Sequence, residues 1–106
     1  MQLSMSTDAQ LSSLGIKVGA HLLDRELRLV TAESCTGGWI GKALTDVPGS
    51  SAWYLGGVVS YSNSLKQALL GVHPSTLASH GAVSETAARE MAIGALETLG
   101  GQLSVA

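Results

Sequence analysis

The chain has 106 residues, 45% of them hydrophobic and 13% charged, and carries a formal net charge of −2. That length suits a single compact domain, residues 1–106, burying roughly 60–65% of its chain surface on folding. No Lys/Arg run supplies the phosphate-neutralising stripe that duplex nucleic acid needs, no apolar run approaches the roughly 20 residues that cross a bilayer, and the opening MQLSMSTDAQL lacks the basic-then-apolar pattern of a secretory signal.

Ser6, Thr7 and Asp8 can cap a first helix, and Leu11, Leu14, Val18 and Leu22 continue it at helical spacing to about Arg25. Residues 28–32, RLVTA, read as a short buried strand, because β-branched residues collect there without polar alternation. A second helix is predicted from about Thr36 to Thr45, with Trp39, Ile40, Ala43 and Leu44 available for packing. Residues 46–50, DVPGS, form a loop, followed by a helical turn over 51–54.

Residues 55–61, LGGVVSY, read as a second strand, whose paired glycines point to a bulge or a close backbone neighbour. SNSLKQALLG follows as a short helix ending at Gly71, and PSTLASHG as a small helix with Pro74 in its first position. Ser84 caps the last helix, with Ala87, Ala88, Met91, Ala92, Ala95, Leu96 and Leu99 on its apolar face, and Gly100-Gly101 end it. QLSVA opens a third strand. This alternation predicts an α/β fold with a mainly parallel sheet covered by helices. Strands ordinarily run about five or six residues; the last one stops at Ala106 as it begins, so the domain is expected to be incomplete at its C-terminus.

Ser34 stands at the predicted strand-to-helix junction, in TAESCTGGW. Open α/β sheets hold ligands at the carboxyl ends of their strands, and free amides at the start of a helix favour an anion or a developing oxyanion. Gly37 and Gly38 would let a ligand approach the backbone. The competing role, commoner from spacing alone, is that Ser34 or Thr36 simply caps the helix. The junction is neither a G-x-S-x-G elbow nor a Walker loop.

A serine nucleophile needs a base. His21, His73 and His80 read as helix-surface or turn residues, and Lys17 as solvent-facing. Lys42 lies eight residues after Ser34, too far along one helix to touch it. Lys66, after the second strand, is better placed: if the strands are parallel neighbours, their carboxyl ends bring Ser34 and the Tyr61–Lys66 segment to one sheet edge. A partly desolvated lysine can act as a base near neutral pH, and Tyr61 can donate a hydrogen bond or relay a proton. The alternative is an exposed helix lysine beside a half-buried tyrosine. Cys35 competes with Ser34 as nucleophile, although a lone cysteine is more often small and buried. It forms no internal disulfide, which fits a reducing cytoplasm. No His/Cys cluster suits zinc. Trp39, Trp53 and Tyr54 read as core or interface residues rather than a stacking wall.

Four blocks, A-E-S-C-T-G-G, G-S-S-x-W, V-x-S-Y-S-N-x-x-K and G-A-V-S-E, occur in that order from Ala32 to Glu85. Together they closely resemble the CinA C-terminal domain family, over roughly Leu11 to Ala106. The resemblance implies a three-layer α/β/α domain, of which this chain is the N-terminal two-thirds, and an amidohydrolase of the nicotinamide mononucleotide deamidase type. Such an enzyme releases ammonia and nicotinic acid mononucleotide within the pyridine nucleotide cycle. It further implies Ser34 as nucleophile, Tyr61 and Lys66 as catalytic partners with the lysine as base, and Thr36, Gly37 and Gly38 as substrate-binding. A cytoplasmic homo-oligomer without metal or organic cofactor is expected. The family's glycine-rich T-G-I-A-G-P-type loop and a basic substrate-binding residue lie beyond Ala106. The alternative expectation is a catalytically incomplete nucleotide-binding or assembly domain.

Overall fold

The computed structural model describes residues 7–106, so Ser6 and the opening MQLSMS lie outside the described residues. Helix α1 spans Asp8–Asp24, followed by β1 (Leu29–Glu33), α2 (Trp39–Thr45), a 3₁₀ turn (Ser50–Ala52), β2 (Tyr54–Val59), α3 (Asn63–Leu70), α4 (Pro74–His80), α5 (Glu85–Leu99) and β3 (Leu103–Val105). All strand pairs are parallel, in the order β2-β1-β3. Among the described residues no helix is long and apolar enough to cross a membrane.

The central strand sorts its side chains between two helical layers, as the period of two requires. Val30 and Ala32 pack with Leu70 of α3, Val72, and Met91 and Ala95 of α5. Leu29 packs on the other side with Leu22 of α1, Leu44 of α2, Val47 and Trp53. Every residue of β1 is buried, as expected of a parallel strand covered on both faces. The fold is therefore α/β, with helices over both faces of an open sheet.

Local chemistry sets the element ends. Thr7 is the N-cap of α1: its hydroxyl accepts from the Gln10 amide at 3.1 Å while the Gln10 side chain accepts from the Thr7 amide at 2.7 Å. Ser62 and Ser84 cap α3 and α5 through their hydroxyls. Helix α1 approaches the core through glycine: a Cβ on Gly19 would sit 2.6 Å from the Trp53 ring. Leu14, one of the apolar residues at helical spacing, is 58% exposed.

The paired glycines of β2 carry both predicted features. The β1–β2 register shifts between Leu29 and Val30, opposite Tyr54 and Gly56. A Cβ on Gly57 would lie 2.1 Å from the Thr31 hydroxyl, which itself hydrogen bonds the Tyr54 phenol at 2.6 Å.

Several expected boundaries move, and the turn expected at 51–54 is the 3₁₀ turn Ser50–Ala52, with Tyr54 opening β2 instead. Strand β1 ends one residue later, taking in Glu33; β2 ends at Val59, two residues earlier than expected; and α2 begins at Trp39 rather than Thr36. The last shift has a backbone cause. Gly37 and Gly38 adopt φ of 63° and 107°, left-handed values that stop a helix from starting before them.

Candidate active site

The site is built at the carboxyl end of β1. Glu33 pairs in register with Val59, so the next residues of the two strands, Ser34 and Ser60, leave the sheet side by side. The Ser60 amide donates to the Glu33 carbonyl at 2.8 Å, which holds the two strand ends together. Residues 34–38 then turn sharply, with the Gly37 amide donating to the Ser34 carbonyl at 3.1 Å and the Trp39 amide to the Thr36 carbonyl at 3.0 Å.

Neither Ser34 nor Thr36 caps α2. The N-cap is Gly38, which has no side chain, and the capping group is the carboxylate of Glu33. One Glu33 oxygen accepts from the Thr36 hydroxyl (2.7 Å), the Gly38 amide (3.1 Å) and the Ile40 amide (2.9 Å); the other accepts from the Gly41 amide (3.0 Å). Burial pushes this carboxyl up, but the Gly41 amide, the Thr36 hydroxyl and the Ile40 and Gly38 amides together hold it below its ordinary value. The expectation of free amides at the helix start is thereby corrected: the protein's own carboxylate occupies them. Among the described residues, the amides in this turn that donate to no protein acceptor are those of Ser34, Cys35 and Thr36.

Sequence reasoning passed over Glu33. The available signal was a single acidic residue closing an otherwise apolar strand just before a turn and helix. A carboxylate there can reach forward to the helix amides.

Ser34 is half-buried, and its hydroxyl bonds no protein group among the described residues. It lines a cleft of about 230 Å³ with Ala32, Thr36, Ser84, Met91 and Ala106. Among the described residues, no Lys, Arg or His lines this cleft. Cys35, also on its wall, is exposed rather than buried.

Lys66 lies on α3, which packs on the same sheet face as Ala32. It is 1% exposed, so the exposed-lysine alternative does not hold, and its Nζ donates to the Tyr61 main-chain carbonyl at 2.7 Å. Tyr61 follows β2 with its side chain 75% exposed, contrary to the half-buried alternative. Lys66 and Tyr61 therefore meet through the tyrosine backbone. Neither hydrogen bonds Ser34.

The remaining candidates separate. Lys17, Lys42, His21, His73 and His80 are exposed, and Lys42 pairs with Asp46 one turn along α2. Trp53 is buried and Trp39 is 60% exposed, while Trp53 and Tyr54 pack at a ring separation of 6.5 Å, so the three aromatics form no common wall. Among the described residues, no group of three or more His, Cys, Asp or Glu side chains is gathered to hold a metal ion.

Residues 11–106 match the family model described as the CinA C-terminal domain. The nicotinamide-nucleotide amidohydrolase PncC of Escherichia coli strain K12 is 54% identical over 91 residues, covering 86% of this chain and 55% of that protein. The protein of the same name from Enterobacter agglomerans is 48% identical over 99 residues, covering 93% and 60%. Among solved structures, the competence damage-inducible protein A of Klebsiella pneumoniae superposes with a TM-score of 0.86 at 40% identity, covering 89% of this chain and 58% of that one. A CinA superfamily protein from Escherichia coli gives 0.85 at 36% identity, covering 98% and 59%. The chain thus spans between half and two-thirds of the length of these relatives.

Proposed function

The chain belongs to the CinA C-terminal domain family, and from that premise we propose that it is the nucleophile-bearing part of a nicotinamide-nucleotide amidohydrolase. One observation carries the reading: Ser34, released from capping by Glu33, stands beside the strand end that leads to a buried lysine.

The Ser34 oxygen forms a bond to the carboxamide carbon, and its proton passes to the free amine of Lys66, with the Tyr61 phenol as relay. To accept that proton, the Lys66 nitrogen exchanges its bond to the Tyr61 carbonyl for one toward the reacting oxygen. The oxyanion is met by the Cys35 and Thr36 amides. Collapse breaks the C–N bond, Lys66 returns the proton, and ammonia leaves. Water then attacks the Ser34 ester, giving nicotinic acid mononucleotide and restoring the serine. Thr36, Gly37 and Gly38 border the substrate, Gly38 through its Cα rather than its occupied amide.

The cleft's lack of a cationic wall supports a second element of the proposal. The substrate phosphate is held by a basic residue from the part of the family domain beyond this stretch. The reading carries with it a cytoplasmic homo-oligomer. A second reading, a nucleotide-binding or assembly unit without turnover, draws on the same missing cation and on the Lys66–Tyr61 bond as it stands.

Ammonia release from nicotinamide mononucleotide separates them. Hydrolysis that disappears in Ser34→Ala supports the amidohydrolase. Full activity in Ser34→Ala removes Ser34 as nucleophile, whereas binding without any hydrolysis selects the second reading.

A further inference from the structure

We propose that Glu33 is a positioning residue for Ser34: its buried carboxylate anchors the middle and exit of the 34–38 turn and so fixes the attitude in which the serine hydroxyl meets substrate. This rests on Ser34 being the nucleophile.

The geometry is specific. Glu33 is 4% exposed and one peptide bond from Ser34. Its first oxygen takes the Thr36 hydroxyl from the middle of the turn, the Gly38 amide from its end and the Ile40 amide from α2; its second takes the Gly41 amide. The turn is thus tied at its entry by the covalent chain and at its middle and exit by one side chain. An ionised carboxylate is acceptor-only at both oxygens, so it alone satisfies four donors arriving from two sides. Glutamine has the same shape, yet its NH₂ group must face at least one of those donors. Aspartate is one methylene too short to span from β1 to α2. At Gly41 a Cβ would meet the second carboxylate oxygen at 3.5 Å, an ordinary contact, and press on the Tyr54 hydroxyl at 3.0 Å.

The test is the rate at which a fluorophosphonate labels Ser34, followed by intact mass and peptide mapping on this chain. Glu33→Gln, Glu33→Asp and Thr36→Val are compared with the unmodified chain well below each unfolding midpoint. A nucleophile displaced by about 1 Å loses about 10²-fold in reactivity. Glu33→Gln and Glu33→Asp are therefore expected to lower the maximal labelling rate by about that factor, with half-saturation by the reagent unchanged. Thr36→Val, which removes one donor and keeps the carboxylate, should lower it by a smaller factor. A purely structural role would cost thermal stability and leave the maximal rate of the folded protein alone. If the unmodified chain labels and Glu33→Gln labels equally fast, this inference falls while the nucleophile stands. If Glu33→Gln does not fold, an unchanged rate in Thr36→Val overturns it. If the unmodified chain is not labelled at Ser34, the nucleophile reading itself fails and this inference with it.

Discussion

The buried side-chain nitrogen of Lys66 donates to the main-chain carbonyl of Tyr61 at 2.7 Å. The two residues are five apart, and the helix cap at Ser62 lies between them. The contact orients a lysine that would otherwise be buried without a partner, and it does so through the backbone. The identity of the Tyr61 side chain is therefore free for another use.

This separation makes Tyr61→Phe informative. The phenol is exposed and forms no hydrogen bond to a protein group among the described residues. Its loss should change stability by less than about 0.5 kcal/mol, as for a surface substitution. If the phenol relays the proton, amide hydrolysis should fall by about 10²-fold. Urea unfolding and ammonia release, measured on one preparation, read the two effects separately. An unchanged rate removes Tyr61 from the mechanism.

Lys66→Met should behave differently. Methionine fills much of the lysine volume, but its loss of the ammonium leaves the Tyr61 carbonyl without that donor, which costs about 1–3 kcal/mol. Loss of a general base costs about 10²–10⁴-fold in rate. A folded Lys66→Met protein with its hydrolysis intact would show that some other group takes the serine proton.

Cys35 neighbours Ser34 and is exposed. Iodoacetamide is expected to modify it completely under native conditions and to obstruct the cleft it lines. Cys35→Ala should nevertheless keep amide hydrolysis within about threefold, because a bystander thiol supplies no nucleophile. Abolished activity in Cys35→Ala would move the covalent step from Ser34 to the thiol.

Acid stability should report Glu33. Its carboxyl titrates below the ordinary value in the folded protein, so unfolding takes up a proton in acid. The stabilisation is complete above the unfolded-chain value, about 4.3, and drains as pH falls through the lower folded-state value. Circular dichroism at fixed urea should therefore show folded protein lost below about pH 4, and Glu33→Gln should flatten that part of the curve. Glu90, also held low by the His73 amide and the Thr76 hydroxyl, adds to the same acid limb and remains in the variant. Parallel acid curves for the two proteins would contradict the Glu33 assignment.

Helix packing offers a check independent of the site. A Cβ on Gly94 of α5 would lie 1.9 Å from the Leu70 carbonyl at the end of α3. Backbone cannot yield as a flexible side chain can, so Gly94→Ala should destabilise by about 1–3 kcal/mol or more. A midpoint of urea denaturation equal to that of the unmodified chain would mean that α3 and α5 pack less closely.

Most of the fold was legible because its signals are local. Ser62 and Ser84 precede apolar helical repeats and cap them, Pro74 opens α4, and Gly71 closes α3 in the left-handed conformation that glycine favours. The β-branched residues of β1, without polar alternation, announced a short buried strand. The start of α2 was misplaced because Thr36 looks like a cap in sequence, whereas the left-handed Gly37 and Gly38 delay the helix.

The sequence by itself determined the order of elements, the parallel α/β class and the blocks that carry the family resemblance. These follow from periodicity, capping chemistry and residue spacing along one chain. Only the tertiary structure decided which polar groups are buried and what each one holds. Lys66 left the solvent because α3 lies against the sheet, and Glu33 became the cap of α2 because the turn folds the helix amides back over it. Hydrogen bonds of that kind join residues whose contact depends on three-dimensional closure. Sequence spacing alone left Ser34 and Glu33 as neighbours without assigning their tasks.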